Sequence, residues 1–274
     1  MKLKEITERL RAAGIESAEY DARELFRAYS GVSDCGFLSM NSESDSEELA
    51  LAVKRREERE PLQYIIGSVG FYREEYTVTP GVLIPRSDTE HLVDYAVHHI
   101  PSGERFIDLC TGSGCVAIST LKNTKSTTAI AVDISEGALA VARKNAEDNG
   151  VLPRITLIKG DVMRGIDAAD GEFYAVLSNP PYVSEASYAT LEPEIYKEPR
   201  CAFVGGEDGG DFYRALVPEA KRVIKKEGFI ALEIGYDQRD LIYTLAAENE
   251  LDAEIIKDYS GNDRVAILRH KSAS

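Results

Sequence analysis

The sequence predicts an α/β protein: a mostly parallel sheet flanked by helices, with a small helical domain and a linking β-hairpin ahead of it. Three observations carry this expectation. Short apolar runs at Phe106-Ile107-Asp108-Leu109, Thr128-Ala129-Ile130-Ala131-Val132, Ile155-Thr156-Leu157-Ile158 and Phe173-Tyr174-Ala175-Val176-Leu177 alternate with helical patterns. Runs that are continuous rather than alternating belong to strands buried on both faces. The first run leads straight into Cys110-Thr111-Gly112-Ser113-Gly114, a glycine loop that opens a helix, whereas residues 3 to about 59 read as helix throughout.

Within that helical stretch, Ile6, Leu10 and Ala13 share a face before Gly14, and Ala22, Leu25, Phe26 and Tyr29 share one before Gly31. Glycine after a periodic run is a helix stop. Ser46-Glu47-Glu48-Leu49 opens a third helix that runs into the charged residues Lys54 to Glu60. These helices carry few residues suited to catalysis, so recognition of a partner is the expected task of a domain spanning 1–60. Pro61 stops the third helix. Tyr64-Ile65-Ile66-Gly67, Gly70-Phe71-Tyr72 and Tyr76-Thr77-Val78 then alternate like a short hairpin, placing a linker at 61–82. Next, Ser87 or Asp88 is placed to cap a helix through His91, Leu92, Tyr95, Ala96 and His99. The adjacent histidines at 98 and 99 point to different faces and make a poor metal pair.

The main domain, 83–274, holds the candidate chemistry. Glycines in a strand-to-helix turn let the backbone approach a ligand where a β-carbon would collide. The second strand ends in Asp133, and an acid there can accept hydrogen bonds from both hydroxyls of a ribose. Strand, loop, helix and acid together favour a cofactor containing a nucleoside. Gly112-Ser113-Gly114-Cys115-Val116-Ala117 leaves NAD and S-adenosylmethionine both open, because NAD enzymes tolerate Ala at the third position. Asp161, after the third strand, offers a further acid or a backbone contact at the adenine edge. The fourth strand leads into Ser178-Asn179-Pro180-Pro181-Tyr182. Two prolines stiffen this turn and contribute no N–H, leaving the Asn179 oxygen and the Pro180 carbonyl as acceptors beside the Tyr182 ring. That corner suits a planar NH2 group of an amide, an exocyclic amine or a guanidine, and it has no acid–base pair for hydride chemistry; it reads as methyl transfer. A lone Asn-Pro would more simply be a turn. Beyond it, residues 187–210 include the acidic, proline-punctuated stretch to Arg200 and Gly205-Gly206-Glu207-Asp208-Gly209-Gly210, a candidate substrate cover. Strands at Phe229–Ile234, Ala253–Ile256 and Arg264–Leu268 complete the sheet, the last two as a terminal hairpin. An antiparallel last strand fits a class I S-adenosylmethionine-dependent methyltransferase, a Rossmann-like seven-stranded sheet.

Composition narrows the partners. The 274 residues carry a formal charge of −15, with no basic groove in evidence, which argues against a nucleic-acid substrate. Four cysteines, Cys35, Cys110, Cys115 and Cys201, lack Cys-x-x-Cys spacing, as expected of reduced thiols in the cytoplasm. The opening residues show no apolar leader and no stretch approaches membrane-spanning length.

With these motifs in view, the chain resembles the HemK/PrmC family of peptide chain release factor glutamine N5-methyltransferases nearly end to end. The resemblance rests on Arg59-Glu60-Pro61-Leu62-Gln63-Tyr64-Ile65-Ile66-Gly67, Leu83-Ile84-Pro85-Arg86-Ser87-Asp88-Thr89-Glu90, Asp108 to Gly114, Ser178 to Tyr182, and Glu198-Pro199-Arg200 with Gly205 to Gly209. Asn-Pro-Pro-Tyr alone is shared with amino-methyltransferases acting on nucleic-acid bases; the Leu-Ile-Pro-Arg run and the helical domain are more specific. The resemblance implies methylation of the glutamine in the Gly-Gly-Gln loop of release factors, with the helical domain gripping the factor and the enzyme expected as a monomer. Methylation of a ribosomal-protein glutamine or of a base are the rival readings. The implied cofactor contacts are Cys110, Thr111, Gly112, Ser113, Gly114, Asp133, Asp161, Val162 and Asn179. The implied catalytic and substrate contacts are Asn179, Pro180, Pro181 and Tyr182. Cys110 stands where the family often has Gly, Val162 where many members have an aromatic residue, and Ser87 where proline is frequent.

Overall fold

The computed structural model describes residues 1–31, 39–161 and 168–271. Val162 and Cys35 lie outside the described residues. The chain divides into two compact units, Met1–Ser68 with Glu192–Lys197, and Val69–Leu191 with Glu198–Ser274.

In the first unit, α1 (Leu3–Ala12), α2 (Ala18–Tyr29) and α3 (Glu47–Glu57) converge on Leu3, Ile6, Leu10, Leu25, Phe26, Leu49 and Val53, all fully buried. Ser46 caps α3 by accepting the Leu49 N–H at 3.1 Å. A buried ion pair joins Asp21 to Arg56 at 2.7 Å, and Glu194 bridges Arg56 at 2.9 Å and Arg59 at 2.7 Å. Tyr64-Ile65-Ile66-Gly67, expected as strand, instead falls on α4 (Leu62–Ile66) and its closing Gly67 at φ +88°. A short apolar run fits either period. Here Pro61, which lacks only its own N–H, starts a helix by accepting from Tyr64 and Ile65 through its carbonyl, and Leu62 and Ile65 bury in the helical core.

In the second unit, β1 (Ser68–Phe71) and β2 (Glu74–Thr77) form the hairpin, displaced by a few residues from the expected one. A 3-10 turn, Ser87–Thr89, leads into α5 (Glu90–His99) with no side-chain cap, contrary to the expectation for Ser87 or Asp88. There follow β3 (Arg105–Leu109), α6 (Cys115–Asn123), β4 (Thr128–Asp133), α7 (Glu136–Asp148), β5 (Ile155–Lys159), β6 (Phe173–Ser178) and α8 (Glu185–Tyr188). The chain ends with α9 (Asp211–Val223), β7 (Ile224–Glu233), α10 (Arg239–Glu248), β8 (Leu251–Lys257) and β9 (Asp263–His270).

Among the described residues the large sheet has seven strands in the order β5-β4-β3-β6-β7-β9-β8. The first five are parallel, and β9 runs antiparallel to both neighbours. Successive residues of β3 feed opposite cores. Phe106 packs with α5 and α6, and Ile107 with α9 and α10, which is why the run is apolar on both faces. Register sets Leu109 beside Val132 on one side and Ser178 on the other. The strand order therefore reverses around β3, and the carboxyl ends of β3, β4, β6 and β7 share one edge, where such sheets bind ligands.

Candidate active site

At that edge a cavity of about 330 Å³ is lined by Cys110, Gly112, Asp133, Asp161, Asn179 and Pro181, together with Ile134 and Leu83. Its floor is the glycine loop. Gly112 and Gly114 take φ +55° and +82°. A β-carbon on Gly114 would lie 2.8 Å from Ile118 Cδ1 and 3.1 Å from Ala142 Cβ, so that glycine lets α6 and α7 close on the loop. Cys110 also has positive φ, +60°, the left-handed region that favours glycine. This is the physical reason a glycine suits the position.

Thr111, Ser113 and Gly114 do not line the cavity; they hold the loop from below. The Thr111 hydroxyl donates to Asp108 at 2.5 Å, and the Ser113 carbonyl accepts from Asn145 Nδ2 at 2.8 Å. Asp108 is 1% exposed, and burial pushes its carboxyl up to about 7, with the Thr111 hydroxyl and the Ala117 N–H pulling the other way. Asp133, by contrast, meets the cavity. Its two oxygens accept the N–H groups of Gly112 at 2.8 Å and Ser135 at 2.9 Å. A carboxylate offers about four acceptor positions, so two remain for a diol. Ile134, 61% exposed at the rim, offers an apolar face that sequence reasoning missed. An apolar cavity of this volume, with a glycine floor, one diol-ready acid and a second acid at Asp161, fits an adenosine-sized group.

A smaller cavity of about 70 Å³ shares Leu83, Asn179 and Ala202 with the first and adds Tyr182, Phe203 and Glu233. Asn179 Nδ2 donates to Thr89 Oγ1 at 3.1 Å, which leaves Oδ1 as the acceptor the sequence called for. The Tyr182 hydroxyl donates to Glu233 Oε1 at 3.1 Å. Burial raises the Tyr182 phenol and the neighbouring carboxylate adds to this, so the hydroxyl keeps its proton. Burial also raises the Glu233 carboxyl, opposed by Thr89, Tyr182 and Arg264. Pro180 is buried and lines neither cavity.

The backbone of the turn is held from outside. Gln238 Nε2 donates to the Tyr182 carbonyl at 2.9 Å, and Gly205 N–H to the Val183 carbonyl at 2.9 Å. A β-carbon on Gly209 would stand 2.2 Å from the Tyr182 carbonyl oxygen, and one on Gly205 2.4 Å from that of Pro181. The glycine run thus serves close packing on the motif, while Pro199, Cys201 and Ala202 from the same segment wall the larger cavity. Glu198, 5% exposed, accepts the Ile84 N–H at 2.9 Å and pairs with Arg86, tying the Leu83–Arg86 run to that wall.

Sequence reasoning missed Thr89 and Glu233. Thr89 stood inside a quoted motif, next to the residues read as caps; Glu233 left the sharper signal, a lone acid at the end of the apolar run Phe229–Ile234.

Residues 2–67 match the family model of the PrmC N-terminal domain, and 89–201 match the methyltransferase small domain. The chain is similar to a release factor glutamine methyltransferase of Geobacter sulfurreducens, 36% identical over 258 residues, covering 92% of this chain and 89% of the relative. A second relative of that description, from Caulobacter vibrioides, is 37% identical over 268 residues, covering 95% and 92%. Among solved structures, a ribosomal protein L11 methylase from Lactobacillus delbrueckii subsp. bulgaricus aligns with TM-score 0.53 and 21% identity over 71% of this chain and 84% of its own, a likeness of fold. The extent and level of these matches show that the chain belongs to the release factor glutamine methyltransferase family.

Proposed function

We propose that this protein transfers the methyl group of S-adenosylmethionine to the side-chain amide nitrogen, N5, of the glutamine in the Gly-Gly-Gln motif of peptide chain release factors. The observation that carries this reading is the Asn179 amide, whose Nδ2 is committed to Thr89 so that Oδ1 is free to accept. S-adenosylmethionine supplies an electrophilic sulfonium methyl when bound. The chain's residues do the rest.

Asp133 would hold the ribose hydroxyls, the Cys110–Gly114 loop would border the methionyl part through Cys110 and Gly112 at the cavity wall, Asp161 would serve the adenine edge, and Ile134 would add an apolar contact for the base. An amide nitrogen is a poor nucleophile because its lone pair is delocalised into the carbonyl. Asn179 Oδ1, at the cavity wall, accepts one N–H of the substrate amide, which returns electron density to nitrogen and aims it along the line of displacement; the Pro180 carbonyl, the second acceptor expected from the sequence, belongs to a buried residue that lines neither cavity. Tyr182 covers the amide plane and excludes water. The amide nitrogen's pair would form the new N–C bond as the methyl's bond to sulfur breaks and that pair stays on sulfur, so that S-adenosylhomocysteine leaves as a neutral thioether; the nitrogen loses its proton to water after the transfer.

The protein acts as a monomer in the cytoplasm on a protein substrate, without a nucleic-acid substrate. The net charge of −15 supports the last of these, the absence of a nucleic-acid substrate; among the described residues no helix is long and apolar enough to cross a membrane. The test is transfer of label from S-adenosylmethionine into purified release factor, native and with its motif Gln→Ala. Label in the native factor alone is expected; label in a ribosomal protein or in RNA instead would overturn the choice of substrate.

A further inference from the structure

An amide offers two atoms to an electrophilic methyl, and its oxygen, whose lone pairs lie outside the conjugated system, is the stronger nucleophile. Methylation at nitrogen therefore needs a site that engages the oxygen and turns it away, which takes a hydrogen-bond donor. The smaller cavity carries four polar side chains, Arg86, Asn179, Tyr182 and Glu233. Three of them have no donor turned to it. Asn179 Nδ2 is given to Thr89 at 3.1 Å, and the Tyr182 hydroxyl to Glu233 Oε1 at 3.1 Å. Glu233 Oε2 is enclosed. Arg86 differs, because its side chain is 37% exposed and a guanidinium only donates. Its Nη2 pairs with Glu198 Oε1, and among the described residues its Nε and Nη1 make no hydrogen bond.

The arginine is held from behind. The Glu198 side chain is 1% exposed and its Oε2 accepts the Ile84 N–H at 2.9 Å, so the backbone fixes the carboxylate and the carboxylate fixes the guanidinium. A planar fork pinned through one nitrogen keeps its other N–H groups in set directions. Glu198 also offsets the charge, which weakens the pull on an acid side chain in place of an amide. Asn179 lines both cavities and Arg86 only the smaller one, so an amide held between them turns its nitrogen toward the cofactor space and its oxygen away. We infer that Arg86 is a substrate-binding residue: its uncommitted N–H groups take the carbonyl oxygen of the glutamine amide, while Asn179 Oδ1 takes an N–H at the other end. This rests on reading the site as a glutamine methyltransferase.

The experiment uses the full chain saturated with S-adenosylmethionine. Arg86→Met is expected to lower kcat/KM for release factor by roughly 10- to 100-fold, the worth of hydrogen bonds from a charged donor, with cofactor Kd unchanged. Arg86→Lys, which keeps the charge and loses the fork, should recover part of this. Glu198→Gln breaks the same ion pair but leaves the guanidinium, so it should lose less than Arg86→Met. Equal losses in Arg86→Met and Glu198→Gln, or a matching loss of cofactor affinity, would mean that Arg86 only braces the wall and would overturn the inference. A second measurement needs neither turnover nor an altered site. The Arg86 Nε–H signal in a 15N spectrum of the native enzyme, identified by its absence in Arg86→Lys, is followed with S-adenosylhomocysteine present. It should shift on adding native release factor and stay in place with a factor whose motif carries Gln→Leu, which lacks the carbonyl. The same response to both factors overturns the inference. No label on release factor from the native enzyme rejects the choice of substrate and this contact with it; label on the factor with an Arg86 signal blind to the glutamine rejects the contact alone.

Discussion

The two halves of the site are built from different distances along the chain. At the cofactor half, Asp133 accepts from Gly112, 21 residues away, and from Ser135, two residues away, and the shape is set by backbone N–H groups and glycine dihedrals. At the reacting corner, Asn179 is held by Thr89 across 90 residues, Tyr182 by Glu233 across 51, and the Tyr182 carbonyl by Gln238 across 56. The first half is a local motif that a strand, a loop and a helix supply together. The second is a convergence of side chains that exists only in the folded sheet. A local motif tolerates change by shifting its own backbone; a convergence of side chains has no such slack, because each contact depends on elements set far apart along the chain.

Substitutions separate the two halves. The largest effect is expected from Asn179→Ala, which removes the acceptor aimed at the reacting nitrogen. Its kcat should fall by roughly 100- to 1,000-fold, with a smaller change in cofactor affinity by calorimetry, and equal losses in both would reassign Asn179 to the cofactor. Asp133→Ala should show the opposite bias. Cofactor affinity drops by roughly 10- to 100-fold, the worth of hydrogen bonds to a charged acceptor, and kcat at saturation changes less. An unchanged titration would remove Asp133 from the cofactor half.

Asp108 tests the support beneath the loop. Its folded carboxyl titrates near 7, above the roughly 3.9 of an unfolded aspartate. The folded state then binds more protons than the unfolded one between about pH 4 and 7. This group's contribution to stability is therefore greatest below about pH 4 and declines as pH rises to 7. Urea midpoints across that window should show less decline in Asp108→Asn, and identical slopes in the two proteins would refute the shift. The smallest effect is expected at Cys110, where φ of +60° places a side chain in the left-handed region. Cys110→Gly relieves about 1 kcal/mol of that strain, partly offset by the freer unfolded chain. A small rise in Tm with unchanged kcat is the expected outcome; a fall in Tm would show that the thiol contributes more by packing than it costs in backbone strain.

The sequence alone determined the α/β class, the seven strands and the antiparallel last one, because continuous apolar runs and the periods of helix and strand are local consequences of burial. It also singled out the motifs proposed here to bear the chemistry, glycines at a strand end and an Asn between a buried strand and two prolines. Residues 64–67 lay beyond its reach, as an apolar run of that length satisfies either period until the helical core claims one face. So did the use of Thr89: read alone it begins a helix, and only the fold brings Asn179, 90 residues on, to its hydroxyl. Glu233 was visible as an acid in an apolar strand, but not its purpose. Its contact with the Tyr182 hydroxyl joins residues 51 apart, and only the folded sheet brings them together.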